Sequence, residues 1–453
     1  MKILLGLIGL GIVVFIHEFG HFLAAKLLGI GVEVFSIGWG KRLFSFQYKG
    51  TEYRISLLPI GGFCKLKGEE AFNQNLSDEI GKDQLHPPDS FYAASPWKRI
   101  VVAFSGPAFN LVSAIVAFTL VWYMGFSYPT FSNRIILESD YPSGYSERFP
   151  AKEGGLQTGD EIIAINGTPI ETYRDIQEIV SRSPGKPLTF TYRREGKIGE
   201  AVIIPDLNKD TGAGRIGVYA WIPPIIEEVR KDSSAYIAGL KKGDVILQVD
   251  GEEVPHTLAF LKKLSEARSR SVRITYEREG KIEETKLLPH YTETEVLDTG
   301  IIFRAIVHSV RSPSFPNALQ KGWEETKSTL VETFRSLGLL FKGINLSKAV
   351  SGPIRITYYV GEIASQGFSK DISTGITSSL SFLALLSVTL FFMNLLPIPV
   401  LDGGLILMFL IELLIRRRLP TKFVYRYQYL GFIIILGLIL LATMSDVLFF
   451  FRK

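Results

Sequence analysis

The chain has 453 residues, a formal net charge of +5 and 47% hydrophobic residues, and its mean hydropathy is +0.21. A positive mean that comes from a few uncharged blocks excludes an ordinary soluble domain, and the lack of any basic tract interleaved with aromatics excludes nucleic acid as a partner. The single cysteine, Cys64, excludes a disulfide framework.

The first block, Ile3 to Ile16, carries no charge and runs into "HEFGHFLAAKLLG". About 20 mainly apolar residues cross a bilayer, so residues 1–30 are expected to form a first transmembrane helix. Lys2 before an apolar run is also how a signal peptide begins, but no small-residue cleavage pattern follows Leu28, and the segment is expected to be retained. Residues 31–97 then turn polar. Within them "RLFSFQYKGTEYRISLLPIGGFCKL" alternates in places around a turn at Lys49 and Gly50, which predicts a hairpin over 33–57 followed by a Gly-rich loop. The second uncharged block, Ile100 to Phe126, places a second span in 98–126.

The next stretch is duplicated. "GLQTGDEIIAINGTPI" (155–170) matches "GLKKGDVILQVDGEEV" (239–254), "TYRREGK" (191–197) matches "TYEREGK" (275–281), and Pro205 matches Pro289, all at one offset of 84. A single offset held over separate stretches marks an internal repeat. Each copy reads as a tight Gly turn, Asp, an apolar strand, an Asn-Gly or Asp-Gly turn, a polar helix and a hairpin closed by Glu-Gly-Lys. Through L-x-x-G-D-x-I-x-x-[IV]-[ND]-G both copies, 127–222 and 223–310, resemble the circularly permuted bacterial PDZ domain. That resemblance implies two grooves where an extended peptide, including a peptide C-terminus, adds as a strand beside "GRIGVY" (214–219) and "TGIIFR" (299–304).

Residues 311–371 are expected to hold amphipathic helices, because Trp323, Leu330, Phe334, Leu337, Phe341 and Ile344 form a stripe at helical spacing. Such a helix either lies along the membrane surface or packs on the second repeat. The third uncharged block, Ile372 to Leu401, continues past Asp402 to Ile411, too long for one straight helix. The segment 372–415 is therefore expected to break near 394–404, around Pro397 and Pro399. The loop 416–428 includes "RRRLPTKFVYR", with five basic and no acidic residues, which puts it on the cytoplasmic side. A fourth span follows in 429–451. Counting back, 127–371 is external and the hairpin cytoplasmic.

Three ionisable groups, His17, Glu18 and His21, sit inside the first span, and each costs roughly 2.5–3.5 kcal/mol to bury in lipid on insertion scales. His-Glu-x-x-His on a helix sets two imidazoles on one face, where they can share a Zn²⁺ ion while Glu18 reaches the attacking water. Two histidines leave the coordination short. Asp402, in "NLLPIPVLDGG", is the only carboxylate between Asp371 and Glu412 and is the candidate third ligand. The competing reading makes it an N-cap for a helix beginning near Leu405. Spans one and three run the same way under this topology, with His17 roughly 25 Å and Asp402 roughly 30 Å from the external end, so the two can meet towards the cytoplasmic side.

Taken together, these motifs resemble the site-two protease family of intramembrane zinc proteases, specifically its regulator of sigma-E protease type. "FSGPAFNLVSA" (104–114) is similar to that family's Gly-Pro-x-x-Asn segment. The resemblance implies a polytopic α-helical membrane protein with four transmembrane helices, a cytoplasmic β-hairpin region and two external α+β PDZ domains, in a bacterial inner membrane with the PDZ domains on the periplasmic side. It implies Zn²⁺ as cofactor, His17, His21 and Asp402 as its ligands, Glu18 as the base, and Asn394, with the adjoining Pro397 and Pro399, as the substrate-binding segment. Substrates would be single-span membrane proteins already trimmed outside, of the anti-sigma factor type, and leftover signal peptides. The alternative is a PDZ receptor or scaffold that does not cut, against which the costly Glu18 argues. A metal transporter fits less well, since four spans with one cluster show no inverted repeat.

Overall fold

A computed structural model describes residues 2–68, 87–141, 148–208, 211–268, 270–292, 296–340 and 352–451. The chain divides into two units, Met1–Phe126 with Ser309–Lys453, and Ser127–His308.

The first unit is built on helices α1 (Lys2–Leu27), α2 (Pro96–Met124), α3 (Phe315–Leu340), α4 (Pro353–Lys370), α5 (Ile372–Asn394), α6 (Asp402–Ile415) and α7 (Thr421–Phe451), with strands β1 (Val32–Tyr48) and β2 (Thr51–Leu66). Among the described residues, four helices are long and apolar enough to cross a membrane: Lys2–Leu27, Pro96–Met124, Ile372–Asn394 and Lys422–Val447. Glycines set how closely they approach. A Cβ on Gly20 of α1 would stand 2.4 Å from the Ser105 carbonyl oxygen of α2, and one on Gly6 would stand 1.9 Å from that of Thr357 in α4. Small residues of this kind let helix backbones meet where lipid supplies no hydrophobic drive.

Two buried ion pairs pin the shorter helices. Arg99 of α2 bonds Glu412 of α6 and lies over the Phe409 ring at 4.5 Å, while the Leu419 N–H donates to the same carboxylate at 3.0 Å. Asp446 of α7, fully buried, accepts from the N–H groups of Gly352, Ile354 and Arg355, which open α4. It also accepts from Arg355 Nε at 3.3 Å. An acidic group at a helix N-terminus satisfies orphan donors, and breaking such a buried pair costs about 3–5 kcal/mol.

One expectation changes here. Gly61 and Gly62, expected in a loop after the hairpin, lie within β2, with Gly62 opposite Ile37. Gly61 has φ +79°, and a Cβ there would meet Val14 at 2.6 Å, so the glycines let the strand run against α1. The striped helix, α3, packs on other helices of its own unit. Gly322 presses on Thr119 of α2, Leu330 packs with Ala114, Phe118, Ala384 and Val388, and Phe334 meets the Phe392 ring of α5 at 6.0 Å. Ala318, Gly322 and Thr326 are the buried positions of α3 among the described residues, while Trp323 and Phe334 of the stripe stay exposed. The Leu337 side chain, Phe341 and Ile344 lie outside the described residues.

In the second unit the sequence repeat becomes a structural one. Strands Thr168–Pro169, Glu161–Ile165, Leu188–Arg194 and Lys197–Ile203 form one sheet, and Glu252–Glu253, Val245–Val249, Val272–Arg278 and Lys281–Leu287 form another in the same order. The matching extends to ion pairs. Asp160 binds Arg194 and Asp244 binds Arg278, both at 2.7 Å, and each aspartate also caps a turn N–H. Each copy closes over its own core, under the helices Tyr173–Ser181 and Thr257–Ala267.

His256 joins the copies. Its ring lies 4.6 Å from Trp221 and 5.2 Å from Tyr141 of the first copy, and its Nδ1 accepts from the Ala259 N–H. Burial, with the nearby Arg134 guanidinium, lowers the imidazole to about 4, so it is neutral and free to cap the helix.

Candidate metal centre

α1 is apolar on every side, so its position depends on packing rather than on one buried face. One helical turn puts the His17 and His21 rings 4.8 Å apart, with 3.2 Å between their Nε2 atoms. Asp402 is the first residue of α6. Its Oδ2 lies 3.2 Å from His17 Nε2 and its Oδ1 3.5 Å from His21 Nε2. Tetrahedral ligands about 2.0–2.1 Å from a zinc ion stand roughly 3.3–3.4 Å from one another, so these three donors fit that ion. All three side chains are 12–15% exposed.

The segment delivering Asp402 is irregular. α5 ends at Asn394 and α6 starts at Asp402, with Val400 between them at φ +80°, a conformation that a β-branched residue holds only under strain. A Cβ on Gly403 would meet the Leu395 carbonyl oxygen at 2.3 Å and one on Gly404 that of Ile398 at 2.2 Å. Only glycines let the new helix start folded back on its own loop. Leu401 is the N-cap, and the Asp402 side chain points to the histidines rather than to the helix start. Pro397 is exposed and Pro399 buried on this loop. Among the described residues, Asn394 makes no hydrogen bond to the three donors.

The outer partners come from α2. His21 Nδ1 donates to the Val102 carbonyl at 2.8 Å, which leaves its Nε2 lone pair facing Asp402. Asn110 of α2, fully buried, lies with its amide 3.3 Å from His17 Nδ1, and its Oδ1 has no partner among the described residues. With the carboxamide oxygen turned to His17, Nδ1–H gains an acceptor and Nε2 becomes the ligand atom. Gly106 is the point of closest approach, since a Cβ there would stand 2.2 Å from His21 Nε2. Neither residue received a role from sequence. The available signals were the similarity of 104–114 to the family's Gly-Pro-x-x-Asn segment and a polar amide in an uncharged apolar run, which is costly in lipid.

Glu18 sits beside the three donors, within the field of His17, His21 and Asp402. Its Oε2 accepts from the Cys64 N–H of β2 at 3.1 Å.

The model of peptidase family M50 matches residues 5–438 of this chain. The chain belongs to peptidase family M50, the site-two proteases. It is 40% identical over 452 residues, covering all of both chains, to a Treponema pallidum protein named "Putative zinc metalloprotease". It is 32% identical to a Borreliella burgdorferi protein of the same name, covering 98% of each. It is 27% identical to the Escherichia coli regulator of sigma-E protease RseP, covering 97% of each. A solved PDZ domain of an SdrC-like protein from Listeria monocytogenes is similar at 21% identity, covering 19% of this chain and 90% of that one, with a TM-score of 0.17. This M50 peptidase is thus a zinc metalloprotease and a multi-pass membrane protein.

Proposed function

We propose that the chain hydrolyses peptide bonds within the transmembrane helices of single-span membrane proteins, with His17, His21 and Asp402 holding zinc and Glu18 acting as base. The observation that carries this reading is the meeting of three donor atoms from α1 and α6, with spacings of 3.2 and 3.5 Å, two of them on α1, a helix long and apolar enough to cross a membrane. Zinc there would lower the pKa of a water to about 7 and polarise the scissile carbonyl. Glu18 takes the water's proton and returns it to the leaving amine, and the Cys64 N–H keeps its carboxylate aimed. Asn394 and the exposed Pro397 line the approach for substrate, and Pro399, buried against Gly431 of α7, fixes the loop that carries them.

A substrate helix hides its carbonyls in i to i−4 bonds and must open first. Residues 62–65 of β2 pair with 34–37 on one side and present Cys64 to Glu18 on the other, so an unwound strand can pair beside them. Substrates are of the pre-trimmed anti-sigma factor type and include leftover signal peptides. The chain lies in a bacterial inner membrane, the basic loop at 416–428 inside and both repeats, as PDZ domains, in the periplasm.

The test uses the full chain in phospholipid nanodiscs with a single-span substrate shortened on its outer side, the fragments being read by mass spectrometry. Cleavage is expected inside the span, abolished by a zinc chelator and restored by Zn²⁺. Cuts confined to loops, or activity that survives zinc removal, would overturn the proposal.

A further inference from the structure

The turn between α6 and α7 carries positive charge that nothing around it balances. Arg416, Arg417, Arg418, Lys422 and Arg426 follow one another there, and no acidic residue stands between Glu412 and Asp446. Those two carboxylates are buried and already bonded, Glu412 to Arg99 and Asp446 to Arg355. All five cations are exposed, and none pairs with a carboxylate among the described residues. Arg418 also stands in the field of the buried Arg99, a like charge. The negative end of the α6 dipole favours the three arginines, but Lys422 lies in the first turn of α7, where the dipole opposes a cation and favours an anion.

The turn lies at the depth of lipid phosphates. Lys422 and Arg426, four residues apart, share one face of α7, and Tyr425 and Tyr429 run beside them. The Tyr425 and Tyr429 rings stack at 6.1 Å, and those of Phe423 and Tyr427 at 6.3 Å. Phe423, Tyr425 and Tyr429 are exposed. Past Arg426 the helix holds no charge before Asp446. Aromatic rings at the end of an apolar span mark the bilayer interface, so the five cations stand level with the headgroups.

The same turn is joined to the loop that delivers Asp402. The Tyr427 hydroxyl donates to the Gly404 carbonyl at 3.1 Å. Gly431 lies against Pro399, where a Cβ would meet the carbonyl oxygen at 2.2 Å. Val424 belongs to one buried cluster with Met408 and Phe409 of α6. From Phe432 to Met444 no residue of α7 is buried. Its first turns are therefore placed by these few contacts, and whatever holds those turns also holds the loop.

We propose that the turn binds the phosphodiester headgroups of anionic glycerophospholipids, and that the bound lipid steadies residues 395–404 through Tyr427 and Gly431. A zwitterionic headgroup brings its own cation and leaves the five charges unbalanced; a headgroup of net negative charge does not. The inference rests on reading α7 as a membrane span and is independent of the zinc and of the cleavage.

The test compares the full chain in nanodiscs of phosphatidylcholine with and without phosphatidylglycerol. By electron spin resonance, spin-labelled phosphatidylglycerol should be immobilised at least about twofold in preference to spin-labelled phosphatidylcholine, the roughly fivefold gain of one engaged Lys or Arg being diluted over the lipids around the other spans. The preference should vanish in the quadruple variant Arg416→Gln, Arg417→Gln, Lys422→Gln, Arg426→Gln. It should vanish too in the wild type at about 1 M salt, where exposed charges are screened within roughly 3 Å, an arm that holds even if the variant fails to fold. Hydrogen exchange over 395–404 should slow at least about threefold when phosphatidylglycerol is present. Tyr427→Phe should keep the lipid preference and lose that slowing. Equal immobilisation of the two lipids, or a preference that survives both salt and the quadruple variant, would overturn the proposal. So would exchange over 395–404 that ignores the lipid, slowing that persists in Tyr427→Phe, or slowing produced by inorganic phosphate in phosphatidylcholine nanodiscs. No cleavage is monitored, so each of these results leaves the protease reading as it was.

Discussion

Glu18→Gln is expected to keep its zinc and to lose cleavage by about 10²–10⁴-fold, the range a positioned general base contributes. Glutamine has the same shape, and its amide oxygen can still accept the Cys64 N–H that orients Glu18 at 3.1 Å. His17, His21 and Asp402 are untouched, so metal content should match the wild type. Only the capacity to take a proton is gone. Zinc analysis of the purified variant beside the substrate assay separates the two effects. Full turnover in this variant would reject Glu18 as the base, and loss of zinc would make it a ligand instead.

Asp402→Ala should lose both zinc and cleavage. It removes one of three donors, and two imidazoles alone hold the ion poorly. The fall in affinity should exceed the roughly 10–100-fold that follows loss of an outer partner of a metal ligand. The fold should survive. Asp402 makes no capping bond to α6, whose place is held by the Arg99 and Glu412 pair and by Gly403 and Gly404 against the loop. A thermal melt close to that of the wild type, together with absent zinc, is the expected outcome. Retained zinc would mean that Asp402 only begins a helix.

How much of this is legible in the sequence differs by element. Charged groups in apolar runs stand out because lipid penalises them, so His17, Glu18, His21 and Asp402 could be singled out one by one. The repeat was legible because strand, turn and helix recur at one spacing, down to Asp160 and Asp244. Periodicity failed where the partner mattered. The α3 stripe marks an apolar helix face, but nothing in its spacing says that Leu330 packs against α2 and α5 while Trp323 and Phe334 stay exposed. The glycines at 61 and 62 read as a loop by composition, although close approach to Val14 requires the first and to the Ser36 carbonyl of β1 the second. Asn110 acts on a histidine 93 positions away and Arg99 on a glutamate 313 positions away, and no local pattern encodes such pairings. Gly106 stands in the Gly-Pro-x-x-Asn segment, but nothing local to it says that the His21 ring packs against it.

The whole site rests on one zinc ion held jointly by His17, His21 and Asp402. Zinc-edge X-ray absorption on the full chain tests it most directly. The account predicts only nitrogen and oxygen neighbours at about 2.0–2.2 Å, with the multiple scattering of two imidazoles, and loss of the signal in Asp402→Ala. A sulfur neighbour at about 2.3 Å would bring in Cys64 and contradict it, as would a single imidazole.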